Sequence, residues 1–403
     1  MENKAHLRII YVLGFLTAIG PFSIDAYIPG FPSIAKDLAT DIEHVTLSLT
    51  SYFIGISLGQ LFYGPILDRF GRKKPLLAGL FIYMASAIGC AFAPSIYLLI
   101  AFRFLLAIGG CVGMVASRAV VRDLFSPHET AKVFSMMMLV MGVAPILAPI
   151  LGGFIVASAG WRYIFLLLLI VSATMTFVIS KYLPETKEAD PTVSFHPLKL
   201  VQGYFSLFRN RTFLVYAVAS GAATAALFSY ISDSSFVFIQ LFGIPEAYFG
   251  WIYGVNALAL VSASQFNRLW LSRRTSRQVT IVTIVIQFAV SIILAVCVLM
   301  NVYYLVIMLL IFFYLFWLGF LNPNTTALAL EPFKKNAGTA SAMLGSMQMV
   351  FGAAASAFVS LFHTGTALPM AAFMMIFSVL GLLAILYDRV MQSRLKLPSA
   401  EVE

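Results

Sequence analysis

Twelve separate runs of about 20 apolar residues recur along this 403-residue chain, and that repetition is what its fold must satisfy. They lie near 8–29, 45–67, 75–93, 96–121, 131–158, 162–182, 212–241, 246–270, 279–300, 302–327, 338–362 and 367–387. Each is long enough to cross about 30 Å of hydrocarbon as an α-helix. Charged residues make up 11% of the chain against 61% hydrophobic ones, too few to coat a water-facing surface. The connections are mostly short and leave no room for separate extramembrane chemistry. The expected fold is an all-α membrane protein of twelve transmembrane helices.

The first run follows Lys4 and Arg8 and so resembles a signal peptide. It is too long, contains Asp25 and meets no small-residue cleavage site, so it reads as a span. A net charge of +9 suggests nucleic acid at first sight. The positive-inside rule accounts for it better: with the N-terminus inside, all but Lys36, Arg103 and Arg162 of the 26 Lys and Arg residues fall on the cytoplasmic side. Both termini are therefore expected in the cytoplasm of a bacterial cell, in its inner membrane. Cys90, Cys111 and Cys297 stand singly, with no metal-ligand spacing. The five histidines (His6, His44, His128, His196, His363) sit at or beyond span ends, which argues against a mid-membrane histidine relay.

A polar, proline-bearing stretch at 184–211 separates six spans from six. The expected organisation is a six-helix bundle over 1–183, a cytoplasmic linker over 184–211 and a second bundle over 212–403. Transporters use this arrangement, with substrate near the midplane between the halves. A faint repeat supports it. Gly64-Pro-Ile-Leu-Asp68-Arg69-Phe-Gly71-Arg72-Lys73-Lys74 ends span 2, and Asn267-Arg268-Leu-Trp-Leu-Ser-Arg273-Arg274 ends span 8. Asp25 in span 1 is loosely echoed by Asp233 in span 7.

Of 17 acidic residues, only Asp25 and Asp233 lie clearly within spans, and Arg103 is the one basic residue well inside. Charge in a bilayer costs from about 3 to about 10 kcal/mol or more, so each calls for a role and a partner. Asp25 and Arg103 fall within several ångströms of one depth, and they are expected to communicate inside the N-terminal half. A carboxyl in a dry cavity tends to hold its proton, whereas a nearby guanidinium or cationic substrate favours ionisation. Proton exchange by Asp25 is one reading, and a static ion pair fixing helices 1 and 4 is the other. Asp233, near the outer end of span 7, reads as a binding or second proton site or as a wetted helix end.

Asp68, Arg69, Arg72, Lys73 and Lys74 are crowded between spans 2 and 3, with Gly64 and Gly71 permitting a tight turn or close contact. Asp68 is expected to cap a helix or pair with a base such as Arg122, forming a gating latch in addition to a topogenic basic loop. Gly142, Pro145, Pro149, Gly152 and Gly153 in span 5 suggest a bent, closely packed helix between the halves. Met136, Met137, Met138, Met141, Met343, Met347 and Met349 suit a pliable cavity or plain gap-filling. Gly55-Ile-Ser57-Leu-Gly59 matches a hydrolase pattern, but inside a span it reads as a packing face. No phosphate loop for ATP occurs.

These segments resemble the major facilitator superfamily. Asp68, Gly71 and Arg72 match the characteristic positions of its loop between spans 2 and 3. Arg103-Phe-Leu-Leu-Ala-Ile-Gly109-Gly110 resembles the span 4 motif of proton-coupled drug antiporters, with Leu106 where a polar residue is usual. Pro149-Ile-Leu-Gly152-Gly153 resembles the antiporter motif of span 5, with Ala148 in place of a glycine. Asp25-Ala-Tyr27-Ile-Pro29, Gly59-Gln60-Leu-Phe-Tyr63-Gly64-Pro65, Arg118-Ala-Val-Val-Arg122-Asp123-Leu-Phe125, Trp161-Arg162-Tyr-Ile-Phe165 and Ala337-Gly-Thr-Ala-Ser341 narrow the likeness to the Bcr/CflA drug-resistance exporters. The resemblance implies a proton-coupled antiporter exporting small amphipathic molecules, with Asp25 and Arg103 in the proton-coupling positions. A symporter of the same fold is the alternative. An intramembrane enzyme and a structural or sensory protein are disfavoured. The implied cavity lies among spans 1, 4, 7 and 10, with Tyr27, Tyr52, Gln60, Tyr230, Asp233, Asn256, Asn322 and Met347 as candidate wall residues. The expected partners are lipid, a drug-like substrate and protons, for a monomer with no cofactor and no nucleic acid.

Overall fold

The computed structural model describes residues 2–125, 127–190, 204–333 and 337–396, so most of the linker lies outside the described residues. Twelve long helices dominate: α1 (Glu2–Asp25), α2 (Ile42–Phe70), α3 (Lys73–Ala91), α4 (Ile96–Leu124), α5 (Pro127–Ser158), α6 (Arg162–Tyr182), α7 (Arg211–Ser235), α8 (Glu246–Leu271), α9 (Ser276–Leu299), α10 (Tyr304–Leu330), α11 (Ala337–Leu361) and α12 (Leu368–Lys396). No strand occurs among the described residues. Eleven of these segments are long and apolar enough to cross a membrane, counting α1 with its continuation as Ile9–Asp37. The twelfth expected span, α8, is not among them.

Polar caps define where helices start. Asp41 accepts from the His44 amide at 3.1 Å to open α2, and Asn210 accepts from Phe213 at 3.0 Å to open α7. Thr275 and Gln278 form a reciprocal capping box at α9. Gly71, with φ +84°, makes the turn between α2 and α3 that a side chain would strain.

The same pairings recur in each set of six helices. The contacts α2–α4, α3–α4, α1–α5 and α3–α6 are repeated as α8–α10, α9–α10, α7–α11 and α9–α12. Two seams join the bundles, α2 against α11 and α5 against α8, and the repeat exchanges one for the other. Large apolar side chains such as Phe154, Ile170, Phe177, Leu269 and Leu383 point outward, as lipid requires. The sequence-read packing face of α2 is used in this way: a Cβ on Gly55 would meet the Phe104 carbonyl of α4 at 2.7 Å.

Twelve helices in alternating succession bring the start of α1 and the end of α12, the termini of the described helices, to one end of the bundle. At the opposite end the halves are pinned along α2 and α11. Thr50 donates to Ser356 at 2.8 Å, Ser57 meets Ser346 at 2.8 Å, and Ser360 donates to the Glu43 carbonyl at 2.8 Å. Ser33 donates to Glu246 at 2.9 Å across the same gap. Toward the termini this seam opens into a cavity of about 210 Å³ lined by Gln60, Arg118, Arg122, Gly338 and Ser341.

Candidate functional site

Asp25 is the last residue of α1, where the helix breaks in mid-segment. The chain passes through a short 3₁₀ turn at Ile28–Gly30 and restarts as a helix at Phe31–Asp37. Pro29 and Pro32 withhold the amides that a continuous helix needs. Irregular backbone at such a depth is tolerated where protein or a cavity surrounds it, and here it delivers a carboxyl group. Asp25 is buried, and its Oδ1 accepts a hydrogen bond from the Tyr253 hydroxyl of α8 at 2.9 Å. One carboxylate thus touches both bundles.

Asp25 faces a cavity of about 250 Å³ between the halves. Its walls include Gly20, Pro21, Met114, Met141, Pro145, Phe228, Tyr230, Ile231, Tyr253, Asn256, Leu315 and Met349. Tyr230 and Tyr253 stack with ring centroids 5.7 Å apart, and Asn256 donates to the Tyr230 hydroxyl at 3.0 Å. An apolar chamber with a few convergent polar groups and one ionisable carboxyl suits an amphipathic ligand. Removing the Tyr253 hydroxyl deletes its hydrogen bond to Asp25, worth about 0.5–3 kcal/mol across the two charge states of the carboxyl. Tyr253→Phe is expected to lower coupled transport by roughly tenfold or more in vesicles, with normal yield of folded protein.

Arg103 is fully buried and does not pair with Asp25 in this arrangement. Its Nη1 donates to the Ser23 carbonyl at 3.0 Å, and its guanidinium lies over the rings of Tyr27 and Tyr52 at 4.3 and 4.2 Å. Nε and Nη2 have no hydrogen-bond partner among the described residues. Stacking on two rings lowers the cost of burying the cation but leaves those donors unsatisfied.

Of the wall residues expected from sequence, Tyr230 and Asn256 line the central chamber, and Gln60 lines the second cavity. The other candidates lie elsewhere in this arrangement. Tyr27 is packed against Phe31 and Phe165 and bonded to Ser48 at 2.8 Å, and Tyr52 reaches back to the Gly20 carbonyl at 3.4 Å. Both serve Arg103 rather than the chamber. Asn322 accepts from Ser220 at 3.2 Å, and Met347 packs with the Phe213–Leu344 cluster. Asp233 is neither on the chamber nor wetted: it is buried beside His363. The chamber residues missed from sequence, Tyr253 and Phe228 among them, carry no motif that separates them from other aromatic residues in apolar helices.

The 64–74 segment folds into an ion-pair cluster. Arg72, almost fully buried, donates to Asp68 at 2.8 Å and to Asp123 of α4 at 2.8 Å, and Lys187 donates to Asp68 at 2.9 Å. Burial works against the Arg72 charge, yet the two carboxylates outweigh it and raise its pKa. Glu185 accepts the Arg72 amide at 2.6 Å, tying the start of the linker to the turn. The partner of Asp68 is therefore Arg72 with Lys187, not Arg122. Arg122 bonds to the Arg118 carbonyl at 3.3 Å and leans toward Gly338 of α11. Arg69 lies over its neighbour Phe70. Gly64 makes no close contact, because its face of α2 meets open space.

In α5 the glycines divide sharply. A Cβ on Gly152 would lie 2.2 Å from the Ala26 carbonyl, and one on Gly153 would lie 2.9 Å from the Glu246 carbonyl of α8. A Cβ on Gly250 of α8 would in turn lie 2.4 Å from the Pro149 carbonyl. Gly142, by contrast, has ordinary van der Waals distance to Val261, and Pro145 borders the chamber.

Two pseudo-symmetric six-helix bundles enclosing a buried carboxyl and an apolar chamber define a polytopic membrane transporter of the alternating-access kind. The chain belongs to the Major Facilitator Superfamily, whose profile matches residues 13–357. It is a multi-pass membrane protein of a transporter family rather than an enzyme. An uncharacterized MFS-type transporter of Bacillus subtilis is 35% identical over 388 residues, covering 95% of each chain. A bicyclomycin resistance protein homolog of Haemophilus influenzae is 30% identical over 92% of this chain and 93% of its own. Multidrug resistance protein D of Escherichia coli is 28% identical over 87% of this chain and 88% of its own. Among solved structures, a peptide transporter in complex with sulfate superposes with a TM-score of 0.74 at 15% identity, covering 96% and 94% of the two chains. The fold is shared at that distance.

Proposed function

We propose that this chain is a proton-coupled antiporter that exports drug-like amphipathic molecules from the bacterial cytoplasm. It sits in the inner membrane with both termini inside and acts as a monomer that needs no cofactor beyond the proton gradient. The bundles 1–183 and 212–403 rock about the central chamber. The observation that carries this reading is the Asp25 carboxyl, buried at a helix break, open to the chamber and bonded to the opposite bundle through Tyr253. A bound proton and a bound substrate compete for that one group. Exchange follows if only the proton-loaded or substrate-loaded carrier reorients. The relatives named for bicyclomycin and multidrug resistance agree with the apolar chamber in pointing to such substrates. Arg103, stacked on Tyr27 and Tyr52, supplies the cation that the deprotonated carboxylate turns toward.

The test uses vesicles holding a preformed pH gradient. Adding a bicyclomycin- or chloramphenicol-like compound is expected to dissipate the gradient in the direction of exchange. Proton movement in the same direction as the compound would identify a symporter instead. No movement with any such compound would remove the proposal.

A further inference from the structure

His363, in the turn between α11 and α12, is not used by the transport site. Its Nδ1 lies 3.6 Å from Asp233 Oδ1, and its Nε2 lies 3.6 Å from Glu43 Oε1. These are ion-pair contacts rather than hydrogen bonds. Asp233 belongs to α7 and Glu43 to the first turn of α2, so one imidazole joins the two bundles at the end opposite the termini. The His363 side chain is 9% exposed and that of Asp233 is 5% exposed. Asp233 Oδ2 has no hydrogen-bond partner among the described residues, so this carboxylate depends on the ring beside it. Phe236, directly after α7, presents its ring edge-on at 4.3 Å and closes the site. Asp41, paired with His44, adds negative charge from the α1–α2 connection. The turn carrying the imidazole contributes only the neutral hydroxyls of Thr364 and Thr366.

We propose that His363 is a second proton-binding site of this carrier, separate from Asp25, whose bound proton fastens the two bundles at the end opposite the termini. A charged imidazole attracts Asp233 and Glu43 together. A neutral one leaves two carboxylates facing each other across the seam. The Asp233 carboxylate holds the imidazole above its ordinary pKa against burial, with Glu43 and Asp41 adding to the effect. In the opened arrangement the ring loses the cross-bundle partner. Closure is therefore fully supported below the open-state pKa and is lost as pH rises through the closed-state pKa. With that end outside, a proton taken from the medium draws the outer seam shut and drives the carrier's return toward the cytoplasm. This assignment rests on the antiport reading only for that direction.

The test measures the distance between spin labels at Lys36→Cys and Met300→Cys, exposed positions on the two bundles, in the full chain in nanodiscs. Cys90, Cys111 and Cys297 are replaced by Ala. Between about pH 5 and about pH 9 the ratio of closed to open carrier is expected to fall by about tenfold or more. In an Asp25→Asn background, where the transport-site carboxyl cannot titrate, His363→Gln should give a mostly open, pH-independent distribution, and His363→Lys a mostly closed, pH-independent one. Opposite displacements of this kind cannot come from misfolding. Asp25→Asn alone, which removes the transport-site proton, should still leave a pH-dependent distribution, and that separates this site from the transport site. A flat wild-type profile, an unchanged profile in His363→Gln, or loss of the response in Asp25→Asn would each overturn the assignment.

Discussion

Vesicles carrying Asp25→Asn are expected to show no substrate-driven proton movement above that of protein-free vesicles. Asparagine is nearly isosteric with aspartate, and its side-chain oxygen still accepts from the Tyr253 hydroxyl, which sits 2.9 Å from Oδ1. The bond between the bundles therefore survives, and the variant should fold and bind. What it loses is the capacity to exist in two charge states, and a gradient can act only through a differential interaction with two states. Substrate binding without proton transfer is the diagnostic pattern. A static structural role for Asp25 predicts the reverse: damaged folding, with coupling intact in whatever protein survives.

The second large effect is a matter of space. Gly152→Ala is expected to destabilise the protein by more than the roughly 1–3 kcal/mol of ordinary overpacking. The added methyl group would lie 2.2 Å from the carbonyl of Ala26, a backbone atom that cannot rotate away. Ala26 follows Asp25 directly, so any accommodation moves the carboxyl itself. Gly142→Ala on the same helix has its nearest neighbour at 3.5 Å and is expected to be nearly neutral. Thermal unfolding of the two variants in detergent, alongside transport, separates them. Equal tolerance of both would show that α5 and the helix break at Asp25 are not in the contact described.

The contrast between these glycines illustrates what sequence alone makes legible. Apolar runs near hydrocarbon thickness can be counted without coordinates, because length and composition are one-dimensional properties. The twelve-helix bundle and the cost attached to Asp25 and Arg103 followed from that. Only the α8 segment departs from the count. Which face a residue presents is a different matter. Helices apolar on all sides carry a weak amphipathic signal, so Tyr27 and Tyr52 read as wall residues although they stack on Arg103. Tyr253 was invisible for the same reason, although it holds Asp25. Asp233 echoes Asp25 in the repeat, but its partner His363 lies 130 positions away in a turn and only the fold brings them together. Gly64 and Gly142 match their motif surroundings as well as Gly71 and Gly152 do, and only the packing separates them.

The most direct measurement follows the Asp25 side chain itself. Infrared difference spectra of the purified protein, taken with and without a chloramphenicol-like ligand near neutral pH, should show loss of a protonated-carboxyl band as the ligand binds. The same band should be missing in Asp25→Asn, with released protons appearing in unbuffered solution in matching amount. A carboxylate that stays ionised in both states, with no proton released, would contradict exchange at this site.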